Sequence, residues 1–411
     1  MHDRQNYVYV GVDLHKEKHV AVVIDCWTTK IATIEFENKP AAFPEMIKQV
    51  KKATKKGLIP VFGLEDTGGY GRSLAMFLVE EKQIVKEVNS ALSFFARKSY
   101  PTTQKADDWD AFCIATILIN KLNDLPDANP QDIYWTIGQL VTRRYALVKA
   151  STALKNQLHI QLSYSYPSYK DFFSEIDGAT ALAFCEEYPA PHLRKEVSKG
   201  NFVDFLLKAS RNSCSTRKAD EILYLVKKDG DTTREYQEQR DFLVQSLVRD
   251  IKFKREEIEI VNGELEKILT VLGYKLESMP GIDTVTAAEL IAEIGDINRF
   301  SNADKLVRFA GVAPVIMGSG GKTKNYKSRQ GNRTLHGIFY FLAVSQVQIS
   351  KGSKMPRNPV FYEYYQTKLK EGKTKGQALV CVMRRLVNII FGMMKNKTAY
   401  IMPTLPEKKA V

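Results

Sequence analysis

The 411-residue sequence predicts an α/β domain at its start and a mostly helical remainder, on three features of its patterning. Apolar residues alternate along residues 7–13 (Val8, Val10, Val12), as in a half-buried strand, and short apolar runs recur up to about residue 90. Stretches with helical spacing lie between the later runs, so helices and strands interleave as they do when helices cover a sheet. From about residue 131 the strand signal fades, and a heptad spacing follows. An apolar content of 44% supplies ordinary cores, and the length suits three domains, placed at residues 1–130, 131–273 and 274–411.

In chain order, residues 7–13, 19–25 and 31–37 read as strands, 41–53 as a helix, 61–65 as a strand, 70–81 as a helix and 84–88 as a strand. Three strands followed by alternating helices and strands suggest an RNase H-like mixed sheet. In that layout Asp13, closing the first strand, and Glu65, closing the fourth, become neighbours. Asp107 and Asp110 open a helix on the stripe that continues through Ala111, Ile114 and Leu118, so one face carries acids first and core afterwards. Gathered carboxylates repel one another unless a hard cation such as Mg²⁺ neutralises them. A pair of such ions about 4 Å apart is a known device for phosphodiester chemistry. His15 and His19 read as solvated positions near a Lys-rich turn, and His159, His192 and His336 have no spaced partners that would make a metal set.

The middle region, interrupted by Pro167, Pro189 and Pro191, ends in a heptad pattern: Val244, Ile251, Ile258, Leu265 and Leu272, with Leu247, Val261 and Ile268 at the companion positions. Leu140, Leu147, Leu154 and Leu158 offer a matching stripe, for an intramolecular hairpin or for a second subunit. Gly263 argues against one unbroken rod. Beyond it, Met279-Pro-Gly-Ile-Asp283 leads into an amphipathic run. That turn either presents backbone N–H groups to a phosphate or simply joins two helices. Residues 335–347 and 376–394 read as further helices.

Charge is distributed unevenly. The net charge is +13, yet residues 299–411 hold 21 Lys and Arg against 4 Asp and Glu, while the preceding residues hold 39 against 43. No acid occurs from Lys305 to Tyr362, where Lys322, Lys324, Lys327, Arg329 and Arg333 crowd one short segment. A solvated face would serve equally well with alternating signs, so a phosphate-binding surface is the better reading. Five cysteines without a C-x-x-C pair argue against a zinc site or a disulfide framework. No uninterrupted apolar run approaches the roughly 18 residues of a membrane span, and the start lacks the layout of a secretory signal. A cytoplasmic protein without membrane partners is the expectation.

Gly318-Ser319-Gly320-Gly321-Lys322-Thr323 resembles the tail of a phosphate-binding P-loop, but Ile316 stands where that motif needs glycine. Ser319 is then either part of a flexible linker or a nucleophile among cations. Gly11-Val-Asp13-Leu-His-Lys16, Leu64-Glu65-Asp-Thr-Gly68-Gly-Tyr70 and Lys105-Ala-Asp107-Asp-Trp-Asp110-Ala111 resemble the acidic blocks of the DEDD-type insertion-sequence transposases, bridge-RNA-guided recombinases with a RuvC-like domain. Pro280-Gly-Ile-Asp283, Glu293-Ile-Gly-Asp-Ile-Asn-Arg-Phe300, Ala310-Gly-Val-Ala-Pro314, Ser319-Gly320, Gly331-Asn-Arg333 and Met383-Arg-Arg-Leu386 are similar to the later blocks. Order and spacing together make the resemblance specific.

The resemblance implies that Asp13, Glu65, Asp107 and Asp110 bind Mg²⁺ and that Ser319 attacks a DNA phosphate to form a phosphoserine link. It also implies a guide RNA and a homodimer or homotetramer. Asp66 and Asp108 flank the expected ligands and compete with them for assignment. On this reading Lys322, Lys324, Lys327, Arg329 and Arg333 grip the nucleic-acid backbone. Two alternatives stand beside it: a RuvC-like metal-dependent hydrolytic nuclease, and a non-catalytic nucleic-acid-binding protein. A sugar-kinase-like ATPase is disfavoured because no second phosphate loop is visible.

Overall fold

The computed structural model describes residues 3–65, 69–101, 106–128, 130–195, 197–319, 322–326, 328 and 331–403. The chain divides into two compact units, residues 1–132 and 133–411.

The first unit is built on five strands, β1 (Tyr7–Leu14), β2 (Lys18–Ile24), β3 (Lys30–Glu37), β4 (Ile59–Leu64) and β5 (Ile84–Glu87), in the order β3-β2-β1-β4-β5. β1 and β2 pair antiparallel, as do β2 and β3, whereas β1, β4 and β5 run parallel. The period of two sorts the side chains onto two faces. Val8, Val10, Val12, Phe62 and Leu64 face α1 (Phe43–Ala53) and α2 (Arg72–Glu80), and Tyr9, Val22, Ile24 and Val61 face α4 (Asp107–Lys121), with α3 (Ser90–Lys98) beside it. Both faces are buried along β1, β2 and β4, as their near-continuous apolar sequences require, whereas the edge strand β3 alternates buried with exposed residues. This is the RNase H/RuvC-like mixed sheet, and its elements fall within a few residues of the sequence reading.

The second unit is largely helical and has two cores. Its two long helices are α5 (Asp132–Ser165) and α10 (Gln237–Leu272). Leu158 and Leu162 of α5 and Val244, Val248 and Ile251 of α10 share one core with α6 (Ala179–Glu187), α8 (Lys199–Ala209) and α9 (Thr216–Asp229); the short α7 (Pro191–Lys195) adjoins α6 in sequence. Ile137, Val141 and Leu147 of α5 and Val261 and Leu265 of α10 share the other. The early part of one helix thus meets the late part of the other, so the pair runs antiparallel, with Arg144 Nε donating to Asn262 Oδ1 at 2.7 Å. α10 continues through Gly263 without a break.

The second core also gathers α11 (Thr284–Ile294), α12 (Ala303–Phe309), α13 (Arg333–Val347), α14 (Pro359–Lys370) and α15 (Lys375–Asn396). Among the described residues α15 is the one helix long and apolar enough to cross a membrane by length and composition. Arg384 and Arg385 interrupt its sequence, and its stripe Val382, Met383, Leu386, Val387 and Ile390 is fully buried in this core. Between α12 and α13 the basic segment forms an antiparallel hairpin, β6 (Val315–Ser319) and β7 (Lys322–Tyr326), where the sequence reading placed only a loop. The overlooked signal is Gly-Gly between two short runs, a sequence pattern common in hairpins.

Candidate metal centre and the serine hairpin

Two glycines explain where the acids sit. A methyl group on Gly11 would overlap the Ala111 carbonyl oxygen and the Ala115 amide nitrogen, and one on Gly63 would press on Ile114 and Leu118 at 3.0 Å. α4 therefore lies directly across β1 and β4 at these positions. Two residues further along β1, the same alternation carries Asp13 to the α4 side, and Glu65 stands just past the end of β4. Val12 pairs with Leu64, so the next position on β1 is Asp13 and the next after β4 is Glu65. On α4, Asp107 and Asp110 precede Ala111 and Ile114 on the stripe that touches the sheet.

The side chains converge around an imidazole. His15 Nε2 lies 3.0 Å from Asp13 Oδ2 and 3.4 Å from Asp107 Oδ1, and one donor atom from each of the three residues falls within 4.8 Å of the others. Asp13 is half-buried, whereas His15 and Asp107 are exposed. Burial pushes the Asp13 carboxyl above the ordinary carboxylate range; the neighbouring Asp110 and Asp107 charges push the same way, and His15 opposes them. Asp110 is almost fully buried: its Oδ2 accepts from Arg97 NH1 at 2.8 Å, while its Oδ1 has no hydrogen-bond partner. Asp108 turns away and pairs with Lys30 at 2.8 Å, whose hydrogen bond holds that carboxyl below its usual range. Glu65 is half-buried at the end of β4, outside the group of three donor atoms. Asp66 lies outside the described residues.

This donor set fits a divalent cation. Two carboxylates and a ring nitrogen lie close enough to reach one ion, and a buried carboxylate oxygen of Asp110 stands without a partner beside them. Sequence reading missed His15, which is drawn to the acids because it follows Asp13 by two residues at the β1–β2 turn. His19 is fully buried rather than solvated. Its Nδ1 accepts from the His15 backbone N–H at 3.2 Å, and its ring packs edge-on against Phe36. Arg97 was missed as well, since nothing local ties α3 to Asp110.

Ser319 and Lys322 form the closing pair of the β6–β7 hairpin. Lys324 stands further along β7, and Lys327 and Arg329 lie outside the described residues. The hairpin's base is fixed by a close backbone approach: Gly331, at φ +108°, packs on Gly311, and Asn332 N–H donates to the Phe309 carbonyl at 2.7 Å. Asn332 also caps α13, which begins with the exposed Arg333. Arg333 lines a cleft of about 460 Å³ with Tyr145, Thr286, Glu289 and Phe341. Asp283, at the end of the Pro-Gly turn, is the N-cap of α11, accepting from Thr286 N–H at 2.8 Å.

An acidic centre on the strand ends of an RNase H-like sheet defines a class of metal-dependent enzymes acting on nucleic acid. Comparison with known proteins narrows the class. A DEDD transposase model of the IS110 type matches residues 10–167, and the model "Transposase IS116/IS110/IS902 family" matches residues 273–366, together well over half of the chain. An "Insertion element IS116 uncharacterized 44.8 kDa protein" from Streptomyces clavuligerus is 24% identical over 407 residues, 97% of this chain and 98% of the relative. A 42 kDa protein of insertion element IS900 from Mycobacterium paratuberculosis is 24% identical over 400 residues, covering 96% and 97% of the two chains. A pilin gene-inverting protein of Moraxella bovis is 29% identical over 127 residues, 30% of this chain and 37% of the relative. The chain belongs to the IS110/IS116 family of insertion-sequence transposases, and it is an enzyme.

Proposed function

We propose that the acids at the ends of β1 and β4 and at the head of α4 form a divalent-metal centre that cleaves DNA phosphodiester bonds during transposition. The observation that carries this reading is the convergence of Asp13, His15 and Asp107 beside the buried Asp110. Asp13 and Asp107, with Glu65 and Asp110, hold the ion, Mg²⁺ on the family resemblance. When bound, that ion polarises the phosphoryl oxygen and offsets charge in the transition state. Arg97 fixes Asp110, and the buried wall of α4 behind the acids excludes water from one side. Asp13→Asn should lower cleavage by at least about 100-fold while leaving DNA binding in place.

Strand rejoining is assigned to Ser319. Its hydroxyl attacks phosphorus, so that an Oγ–P bond forms as the bond to the leaving deoxyribose oxygen breaks. The serine proton departs to solvent or base, and the leaving oxygen takes one up. One phosphodiester replaces another, which conserves bond energy for rejoining without ATP. The glycines beside Ser319 allow a close approach to DNA, while Lys322, Lys324, Lys327, Arg329 and Arg333 bind the backbone. A guide RNA, a homodimeric or homotetrameric complex and a cytoplasmic location complete the proposal. In it, residues 1–130 hold the ion, 131–273 form a helical connector and 274–411 carry the serine.

Hydrolysis by water is the second reading, favoured because the acidic centre suffices for it without the serine. A denaturing gel separates the two. A protein–DNA adduct lost in Ser319→Ala supports the covalent route, whereas free 5′-phosphate ends with no adduct support hydrolysis. Sequencing RNA that copurifies with the protein tests the guide.

A further inference from the structure

We propose that His15 is a metal ligand and that it biases the acidic centre toward a divalent ion of the first transition row, such as Mn²⁺, over Mg²⁺. The inference deepens the metal-centre reading and rests on it. The distances carry the argument. Neighbouring ligands of an octahedral ion at about 2.1 Å are about 3 Å apart. His15 Nε2 stands 3.0 Å from one Asp13 oxygen and 3.4 Å from one Asp107 oxygen, and the three donor atoms lie within 4.8 Å of one another, close enough to reach one ion together.

His15 is also held in place. Its backbone N–H donates to Nδ1 of the buried His19, which anchors the ring's own residue to the sheet. Asn38 Nδ2 donates to the Lys16 carbonyl at 3.2 Å and to the Tyr70 carbonyl at 3.0 Å, bracing the short β1–β2 connection. Such support from a surrounding shell is what a ligand needs to keep its aim. It is more than a solvated turn histidine requires.

Chemistry then sets the preference. Mg²⁺ is a hard ion that takes oxygen and dehydrates reluctantly, whereas first-row transition ions accept imidazole nitrogen readily. The carboxylates of the centre joined by one imidazole form a mixed set that retains Mg²⁺ binding but adds affinity selectively for ions that bond to nitrogen. An all-carboxylate centre would lack this bias.

The test uses the full-length protein, titrated calorimetrically with MnCl₂ and separately with MgCl₂, for wild type, Asp13→Asn, His15→Ala and His15→Gln. His15→Ala and His15→Gln should each weaken Mn²⁺ by at least about tenfold and Mg²⁺ by less than about threefold. Pulsed electron paramagnetic resonance of bound Mn²⁺ should show coupling to ¹⁴N that shifts to ¹⁵N in wild-type protein grown with ¹⁵N-histidine. That labelling leaves the fold untouched. Asp13-dependent Mn²⁺ binding with no nitrogen coupling, or with unchanged affinity in both His15 variants, overturns the role of His15 and leaves the metal centre standing. Absence of any Asp13-dependent binding overturns the metal centre and this inference with it.

Discussion

Asp110 shows how a single side chain at this centre depends on partners that are distant in sequence. Its carboxylate is almost wholly out of water, and Arg97, about one-third exposed, supplies the one hydrogen bond it accepts. Removing one member of such a pair leaves a buried charge uncompensated, which costs about 3 kcal/mol. Arg97→Ala should therefore lower stability by about that amount in urea unfolding at pH 7. Glu289 makes the opposite case. Burial raises its pKa although Tyr145 Oη donates to it at 2.6 Å, so the folded protein holds this proton more tightly than the unfolded chain does. Stability contributed by Glu289 is present below the unfolded carboxyl range and falls as pH rises through the folded pKa. Glu289→Gln keeps an acceptor for the tyrosine, so it should stabilise the protein at pH 7 and lose that advantage near pH 4. Thermal melts at the two pH values check this.

At the scale of elements, the crossing of α4 over β1 determines whether the acids meet at all. Gly11 permits contact between backbones, and a methyl group there has nowhere to go, because the atoms it meets belong to the main chain of α4. Gly11→Ala should destabilise by about 3 kcal/mol or more and weaken metal binding in proportion to the displacement of α4. Gly263 is a glycine of another kind. It sits inside α10 with open space around its missing side chain, so Gly263→Ala should raise stability by about 0.5–1 kcal/mol, read as a higher urea midpoint with unchanged slope. The β6–β7 hairpin is a third instance. Its Gly-Gly signal is local although the sequence reading passed over it, whereas the Gly311–Gly331 contact that sets its base joins positions 20 apart in sequence.

For the molecule as a whole, the proposed contact with DNA rests on the uneven charge. The excess of positive charge falls entirely within residues 299–411. If six phosphates are neutralised, affinity for duplex DNA should fall by about 10³-fold between 50 and 200 mM salt. Each of Lys324→Ala and Arg333→Ala should reduce the log–log slope by about 0.9 when binding is followed by fluorescence anisotropy. A slope near zero would mean that these cations do not reach phosphate.

The alternating strands, the acid-then-apolar stripe of α4, the heptads of α10 and the basic run were all legible in the sequence, because each is a periodicity or a composition within one element. The resemblance to the transposase family was legible too, as an order of short blocks. Tertiary structure alone decided that α5 and α10 cover each other within one chain, that His19 is buried and that Asp108 turns to Lys30. It alone brought His15 to Asp13 and Asp107, and Arg97 to Asp110. The physical reason is that pattern along a chain specifies which face of an element is buried, whereas partners across elements follow from how closely two backbones approach, here at a glycine.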